Sequence, residues 1–413
     1  MHNKSMKKVV RKQKAKKQSI KSMYFDYASA TPIDAGVFSV IEKTMKTEYA
    51  NPSALHSLGV KAHSKLNELR SKVAAVLSVM PKEVVFTSGA TEANVLMIQG
   101  VVGAYYRATK TIPHIIVSAI EHASILETCA ALERDQCAEI SHLPVTTDGI
   151  IDTSILRDLL KPNTVLVSVH YVNNEIGTIQ PLREIAKIIR HYRKTVTHNS
   201  YPYIHTDASQ APLYLPLNIP TLGVDAMTLS SGKIYGPKGV GALYVRRGIH
   251  CDPLLTGGGQ EFGLRSGTEN IPLIAGFTYA LEKAQALSIK ENARLKSLQQ
   301  WFFNELEKQF KNIRINGSKT ERTPNNINIS IEGVESEELV VRLDARGIFV
   351  SAKSACDSDN EEESHVIRAM YKTNNASQMG SLRISFGRET TRNQLNELLK
   401  TLHEVVHIAK EMK

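Results

Sequence analysis

Long apolar runs are missing: no stretch approaches the roughly 20 consecutive apolar residues that a membrane-spanning helix needs, so a soluble protein without a membrane partner is expected. Cysteine is scarce. Cys129, Cys137, Cys251 and Cys356 are too few for a disulfide framework in 413 residues. None stands in C-x-x-C spacing, which argues against a zinc or redox site and leaves no metal site expected. Reduced thiols in a cytoplasmic setting are the expectation. The first 22 positions contain neither Asp nor Glu and no apolar core of a secretory signal, so export is not expected. No repeat of fixed period appears, which argues against a solenoid or propeller.

What is present is ordinary globular composition, 42% hydrophobic and 22% charged, in a length that allows two or three domains of roughly 100–200 residues each. The formal charge of +10 is local. Nine Lys or Arg lie within residues 1–22, leaving 42 basic against 41 acidic residues in the rest. Such a basic tail has too little apolar surface to offset its ordering entropy and reads as a disordered, solvated extension. Weak contact of the tail with nucleic acid or anionic lipid is the alternative.

From residue 23 onward short β-type runs alternate with helical patterns. Residues 61–79 place Ala62, Leu66, Leu69, Val73, Val76 and Leu77 along one helical stripe. Strands are expected at 83–87, 114–118, 164–171, 203–207, 226–230 and 241–246, with helices between them, as at 92–102 and 182–194. This alternation predicts the doubly wound α/β class with a mainly parallel sheet. Near residue 275 the pattern changes to a long amphipathic stretch, 273–310, then strands at 326–331 and 383–386 and helices near 336–346 and 391–410. The expected division is a basic tail (1–22), a large α/β domain (33–288), and a smaller α+β domain built from 23–32 and 289–413.

In an open α/β sheet, ligands bind beyond the carboxyl ends of the strands. Four predicted strand ends carry polar groups. Thr87-Ser-Gly-Ala-Thr-Glu92 has the small residues of an anion cradle at a helix start, or of a simple cap. Asp207 closes an apolar strand, where it either needs a cationic partner or caps a helix. Lys233 follows a strand and precedes a glycine-rich turn; it is either a desolvated amine nucleophile or a loop lysine. His122 follows a fourth strand on the same rim. A phosphate cradle, a carboxylate and a lysine are together the three anchors that pyridoxal 5′-phosphate requires, the lysine as Schiff-base partner and the carboxylate facing the ring nitrogen.

Asp26-Tyr27, Ser88-Gly-Ala-Thr-Glu92, Glu121-His122, Val172-Asn-Asn-Glu-Ile-Gly177, His205-Thr-Asp-Ala-Ser-Gln210, Lys233-Ile-Tyr-Gly-Pro-Lys-Gly239, Gly257-Gly-Gly-Gln-Glu261, Arg265-Ser-Gly-Thr268, Ser354-Ala-Cys356 and Arg383-Ile-Ser-Phe-Gly387 occur in that order. The series resembles the cysteine desulfurases, of the class V aminotransferase branch of fold-type I pyridoxal-phosphate enzymes, over roughly residues 23 to 410. The resemblance implies a homodimer that converts L-cysteine to L-alanine and passes sulfur to iron–sulfur scaffold or sulfur-carrier proteins, for cluster assembly or tRNA thiolation. It implies that Lys233 carries the cofactor, Asp207 faces its ring nitrogen, Gln210 its phenolic oxygen, and His122 stacks on the ring and moves protons. Ala90, Thr91 and Ser230 match phosphate contacts, and Thr268 one supplied by the other subunit. Asn174 and Arg383 match the residues that hold the substrate carboxylate, for which a guanidinium fork is suited. Cys356, in a polar stretch, matches the nucleophile that takes the sulfur as a persulfide.

Two positions depart from the family pattern. Gly232 stands where a phosphate-binding histidine is usual. Lys353 replaces a glycine and sets a cation near Cys356, while Asp357, Asp359, Glu361, Glu362 and Glu363 oppose its effect on the thiolate. A selenocysteine lyase, another class V aminotransferase, and a degenerate non-catalytic scaffold are the competing readings.

Overall fold

The strands that read as unbroken apolar runs fold into the middle of a seven-stranded sheet, because only a sheet covered on both faces buries every side chain of such a run. The computed structural model describes residues 22–352, 364–371 and 379–411. The sheet contains β2 (Val84–Thr87), β3 (His114–Ser118), β4 (Glu139–Leu143), β5 (Thr164–Ser168), β6 (Tyr203–Asp207), β7 (Ala226–Ser230) and β8 (Gly241–Val245). Their spatial order is β2-β8-β7-β6-β5-β3-β4. Of these strands only the edge strand β4 has exposed positions, Glu139 and His142.

Helices α1 (Ala35–Thr47), α2 (Ser57–Leu77), α3 (Ala90–Thr109), α4 (Ala123–Arg134), α5 (Thr153–Leu159), α6 (Leu182–Tyr192) and α7 (Ile219–Leu222) accompany these strands. The expected stripe on α2 is buried at Ala62, Leu66, Leu69, Val73 and Leu77, with Val76 half-buried. Arg70, on the same face, is also buried, its guanidinium held by both carboxylate oxygens of Glu261 at 2.6 and 2.8 Å.

All pairings are parallel except those of β8, which runs antiparallel to both β7 and β2. The reason lies in the connection: residues 231–240 are too few for the crossover that a parallel neighbour demands, so the chain turns straight back. That tight return holds Lys233.

A second apolar core lies beyond this sheet. Helix α8 (Ile271–Gln309) runs through both: its buried residues up to Ala284 belong to the first core, those from Leu295 to Leu306 to the second. The boundary expected at 288–289 thus falls inside one continuous helix. The second core contains the antiparallel sheet β12-β10-β9, formed by β9 (Ile313–Ile315), β10 (Asn326–Glu332) and β12 (Met379–Ser385). It also holds α9 (Ser336–Asp344), β11 (Ile348–Phe349) and α11 (Arg392–Glu411); α10 (His365–Tyr371) packs instead on the first core. Phe386 stacks edge-on against Phe302 and Phe25. Truncating any of these buried rings to Ala would cost about 3–5 kcal/mol.

The strand β1 (Met23–Tyr24) pairs with β11, far along the chain, and Asp26 bridges to Ser385. From there residues 26–31 cross to the rim of the large sheet. This strap places the second core's side chains over the strand ends.

Candidate active site

Five strand ends converge on one pocket of about 350 Å³. Its walls include Ser88–Thr91 after β2, His122 after β3, His170 and Asn174 after β5, Asp207 and Gln210 at and after β6, and Ser230 and Lys233 at and after β7. Ala28, Ser29 and Arg383 close it from the strap and from β12.

At one end, helix α3 begins at Gly89, which has no side chain to cap it. A Cβ built on Gly89 would meet nothing within 4 Å. The amides of Ala90 and Thr91 therefore open on the pocket at the positive end of a 20-residue helix dipole, beside Ser230. The site fits a phosphate.

Asp207 is buried. Its Oδ2 accepts from Asn94 Nδ2 at 2.8 Å and its Oδ1 from the Ser209 amide at 2.9 Å. Burial alone pushes its pKa up, but the donors Ser209 and Asn94 outweigh that and hold the carboxyl below the usual range. Both hydrogen bonds come from neutral groups. A protonated ring nitrogen would match the remaining charge, so the carboxylate also fits the cofactor.

Asn94 must turn its amide nitrogen toward Asp207, since an ionised carboxylate only accepts. The second hydrogen of that nitrogen reaches Ser124 Oγ at 2.9 Å. Ser124 Oγ lies 2.9 Å from His122 Nδ1, and the Ser124 amide donates to the same Nδ1 at 3.1 Å. An amide can only donate, so Nδ1 carries a lone pair and the ring hydrogen sits on Nε2. A chain of hydrogen bonds thus fixes one tautomer of His122 and ties it to Asp207.

Lys233 Nζ donates to the carbonyls of Ala28, at 3.1 Å, and Ser29. Gln210 Nε2 also donates to Ala28 O, at 2.9 Å. Arg383 is 1% exposed. Its Nη2 donates to Asp26 Oδ1 at 2.9 Å and Ser29 Oγ at 2.5 Å, and its Nη1 to the carbonyl of Asn174 at 3.3 Å.

The profile of the aminotransferase class-V family matches residues 23–398. The chain belongs to that family. Within it, the chain is 40% identical over 386 residues to cysteine desulfurase IscS of Dictyoglomus turgidum, covering 94% of this chain and 95% of the relative. It is 39% identical over 393 residues to the mitochondrial cysteine desulfurase of Arabidopsis thaliana, covering 94% and 83%. It therefore lies in the cysteine desulfurase branch. Among solved structures, a NifS-like protein matches with a TM-score of 0.85 at 31% identity, over 94% of this chain and 100% of that one. A second, SspA in complex with cysteine, matches with a TM-score of 0.74 at 33% identity, over 88% and 98%.

Of the residues singled out in sequence, the pocket of this class V enzyme gathers Ala90, Thr91, His122, Asn174, Asp207, Gln210, Ser230, Lys233 and Arg383. Thr268 is not among them: it is exposed and lines a neighbouring cleft with Arg265, Glu269 and Asn270. Cys356 and Lys353 lie outside the described residues, as do residues 1–21 of the basic tail. Sequence reasoning missed Asn94, Ser124, His170, Ser209 and the strap residue Ser29. Asn94 had a signal, standing one helical turn after Ala90 on the helix that begins at the cradle. Ser124 had a weaker one, as the hydroxyl two residues after His122. A Cβ on Gly232 would meet only Lys238 Cγ, at 3.5 Å, so packing does not require glycine there.

Proposed function

We propose that this enzyme is a pyridoxal-phosphate-dependent cysteine desulfurase that takes the sulfur of L-cysteine onto Cys356 and releases L-alanine. The observation that carries this reading is the convergence of Lys233, Asp207, His122, Asn174 and Arg383 on one pocket headed by a bare helix N-terminus. When bound, pyridoxal phosphate supplies the electron sink that lets the Cα–H and then the Cβ–S bond of the amino acid break.

The chain's own residues supply the rest. Ala90, Thr91 and Ser230 would hold the phosphate, and Gln210 would meet the phenolic oxygen. Asp207, kept ionised, holds the ring nitrogen in its protonated form. Lys233 would hold the cofactor, and its amine would move the α-proton. Arg383, with Asn174, holds the substrate carboxylate and so fixes which end of the amino acid faces Cys356. His122 enters with its hydrogen on Nε2, as a proton donor; to act as a base there it must first give that proton away. The Cys356 thiolate bonds to the substrate sulfur as the Cβ–S bond breaks, leaving a persulfide for an acceptor. Iron–sulfur scaffolds and sulfur carriers are the acceptors we favour, in the cytoplasm; among the described residues no helix is long and apolar enough to cross a membrane.

A second copy of the chain completes the site in this reading. Thr268 is exposed and lines the neighbouring cleft rather than its own pocket, which in this reading leaves it to the partner's phosphate. Leu55 and Phe262, respectively 97% and 51% exposed, line with Glu269 the cleft next to that of Thr268 and give this side of the molecule apolar surface for that partner to cover.

The test is to supply the cofactor-loaded protein with L-cysteine and reductant. Alanine and sulfide should appear in equal amounts, and Cys356→Ala should stop both while the cofactor's visible band remains. Alanine release that ignores Cys356 would point to a lyase. A protein that retains no cofactor would point to a scaffold.

A further inference from the structure

Arg383 lines the pocket with Nη2, the nitrogen common to both of its two-point docking positions, already engaged. A guanidinium can grip a carboxylate bidentately in two ways, through Nε and Nη2 or through Nη1 and Nη2; both use a hydrogen of Nη2. Here Nη2 donates to both Asp26 Oδ1 at 2.9 Å and Ser29 Oγ at 2.5 Å, so the nitrogen that either grip needs is already held. Nε is buried and has no partner among the described residues, a donor ready for use but without its fork neighbour. Ser29 Oγ in turn donates to Asp26 Oδ1 at 2.9 Å, so the three groups form a closed ring of hydrogen bonds. The backbone of the same Ser29 accepts from Lys233 Nζ. One strap residue thus touches both the amine at the cofactor end and the cation at the carboxylate end.

We infer that Ser29 is a specificity-setting residue of this site: its hydroxyl stands in for one oxygen of the amino acid's carboxylate and must leave Arg383 before a substrate can be gripped by two hydrogen bonds. Asp26 is the fixed half of the clasp, an ion pair that orients the buried guanidinium, with side-chain exposures of 2% for Arg383 and 19% for Asp26. Ser29 is the exchangeable half, because a neutral hydroxyl yields to a carboxylate where a carboxylate would not. Amino-acid binding therefore carries the cost of breaking one charge-assisted hydrogen bond, and the strap sets affinity without contributing to the chemistry of sulfur transfer. This rests on the reading of Arg383 as the carboxylate-binding residue.

The experiment is an equilibrium titration of the cofactor-loaded protein, followed by its visible absorbance, with L-alanine and with ethylamine, the same skeleton without the carboxylate. Neither ligand has sulfur to transfer. In Ser29→Ala, L-alanine should bind roughly five- to tenfold more tightly than in the wild type, the scale of one such hydrogen bond, and ethylamine should bind as before. Unchanged or weaker L-alanine binding in Ser29→Ala would overturn the inference. So would equal tightening for both amines, since that would place the effect at Lys233. Arg383→Gln separates the two levels of the argument: L-alanine binding that ignores it removes the reading of Arg383 itself. Weakened L-alanine binding in Arg383→Gln, with no response to Ser29→Ala, removes only the role of Ser29.

Discussion

On one wall of the pocket every side chain stands within a few residues of a strand end, whereas on the other Asp26 and Arg383 meet across 357 positions of sequence. The first wall is a property of the sheet. Once the strands assemble in the order β2-β8-β7-β6-β5-β3, Thr91, His122, Asp207 and Lys233 line one pocket at their ends without further adjustment. The second wall exists only when the second core docks on the first and draws β1 and the strap across the rim. It follows that the sheet wall should govern cofactor retention and the strap wall should govern amino-acid affinity. Changes on one should leave the other's readout nearly untouched.

The largest expected effect breaks the sheet wall. Lys233→Ala should lower turnover of L-cysteine by at least about a thousandfold, in the range seen when a covalent-catalysis residue is removed. Borohydride treatment followed by peptide mapping should find the pyridoxyl tag at Lys233 in the wild type and nowhere in the variant. A tag at another lysine would move the site.

Next comes the strap wall. Arg383→Gln should lower kcat/KM for L-cysteine by on the order of a hundredfold, the worth of a bidentate charge-assisted contact, chiefly through KM. Cofactor content should stay near that of the wild type. If the variant instead lost its cofactor, the separation of the two walls would be wrong.

A smaller effect tests the hydrogen-bond chain behind His122. Ser124→Ala keeps the backbone donor to Nδ1 but removes the hydroxyl link to Asn94 and Asp207. Turnover should fall about tenfold, the scale of one hydrogen bond, with cofactor retained. The nitrogen-15 spectrum of the imidazole, assigned by comparison with His122→Gln, should show Nδ1 unprotonated in the wild type. A proton on Nδ1 would reverse the role assigned to the ring.

The same contrast explains which parts of the molecule were legible in sequence. The sheet wall was, because strand-end motifs are local: an apolar run, a turn and a polar residue are visible within ten positions, as at 203–210 and 226–233. The antiparallel return of β8 was not read, although the shortness of 231–240 contained the reason for it. Arg70 falls on a stripe expected to be apolar, and its burial depends on Glu261, 191 positions away, which no periodicity announces. Asp26 was noticed only as part of a motif, and Ser29 not at all. Their meaning comes from Arg383 and Lys233, which reach them through tertiary packing. Asn94 stands one helical turn beyond the cradle, a single polar position within the apolar periodicity of its helix, which masks it.

The smallest effect concerns the far end of the sheet, which should matter to stability and not to the pocket. His114 begins β3, at the opposite end from His122, and is fully buried between Thr164 Oγ1 at 2.8 Å and Ser141 Oγ at 2.9 Å. Burial, aided by Lys161 and opposed by Glu139, pushes its pKa down from 6.5 to about 4. The folded state therefore holds this ring neutral while the unfolded chain takes up a proton first. Stability from this group is fully present above about pH 6.5 and is lost as the pH falls toward about 4. Asp207 shifts in the acid direction, so it stays ionised through most of that window and the sheet wall keeps its charge. Urea unfolding of the cofactor-loaded protein at pH 7 and pH 5 should show a drop in midpoint that shrinks in His114→Asn, with cofactor content the same at both pH values before urea is added. An equal drop in both proteins would assign the acid sensitivity to other groups. Cofactor loss at pH 5 ahead of unfolding would show that the rim, rather than the far end of the sheet, gives way first.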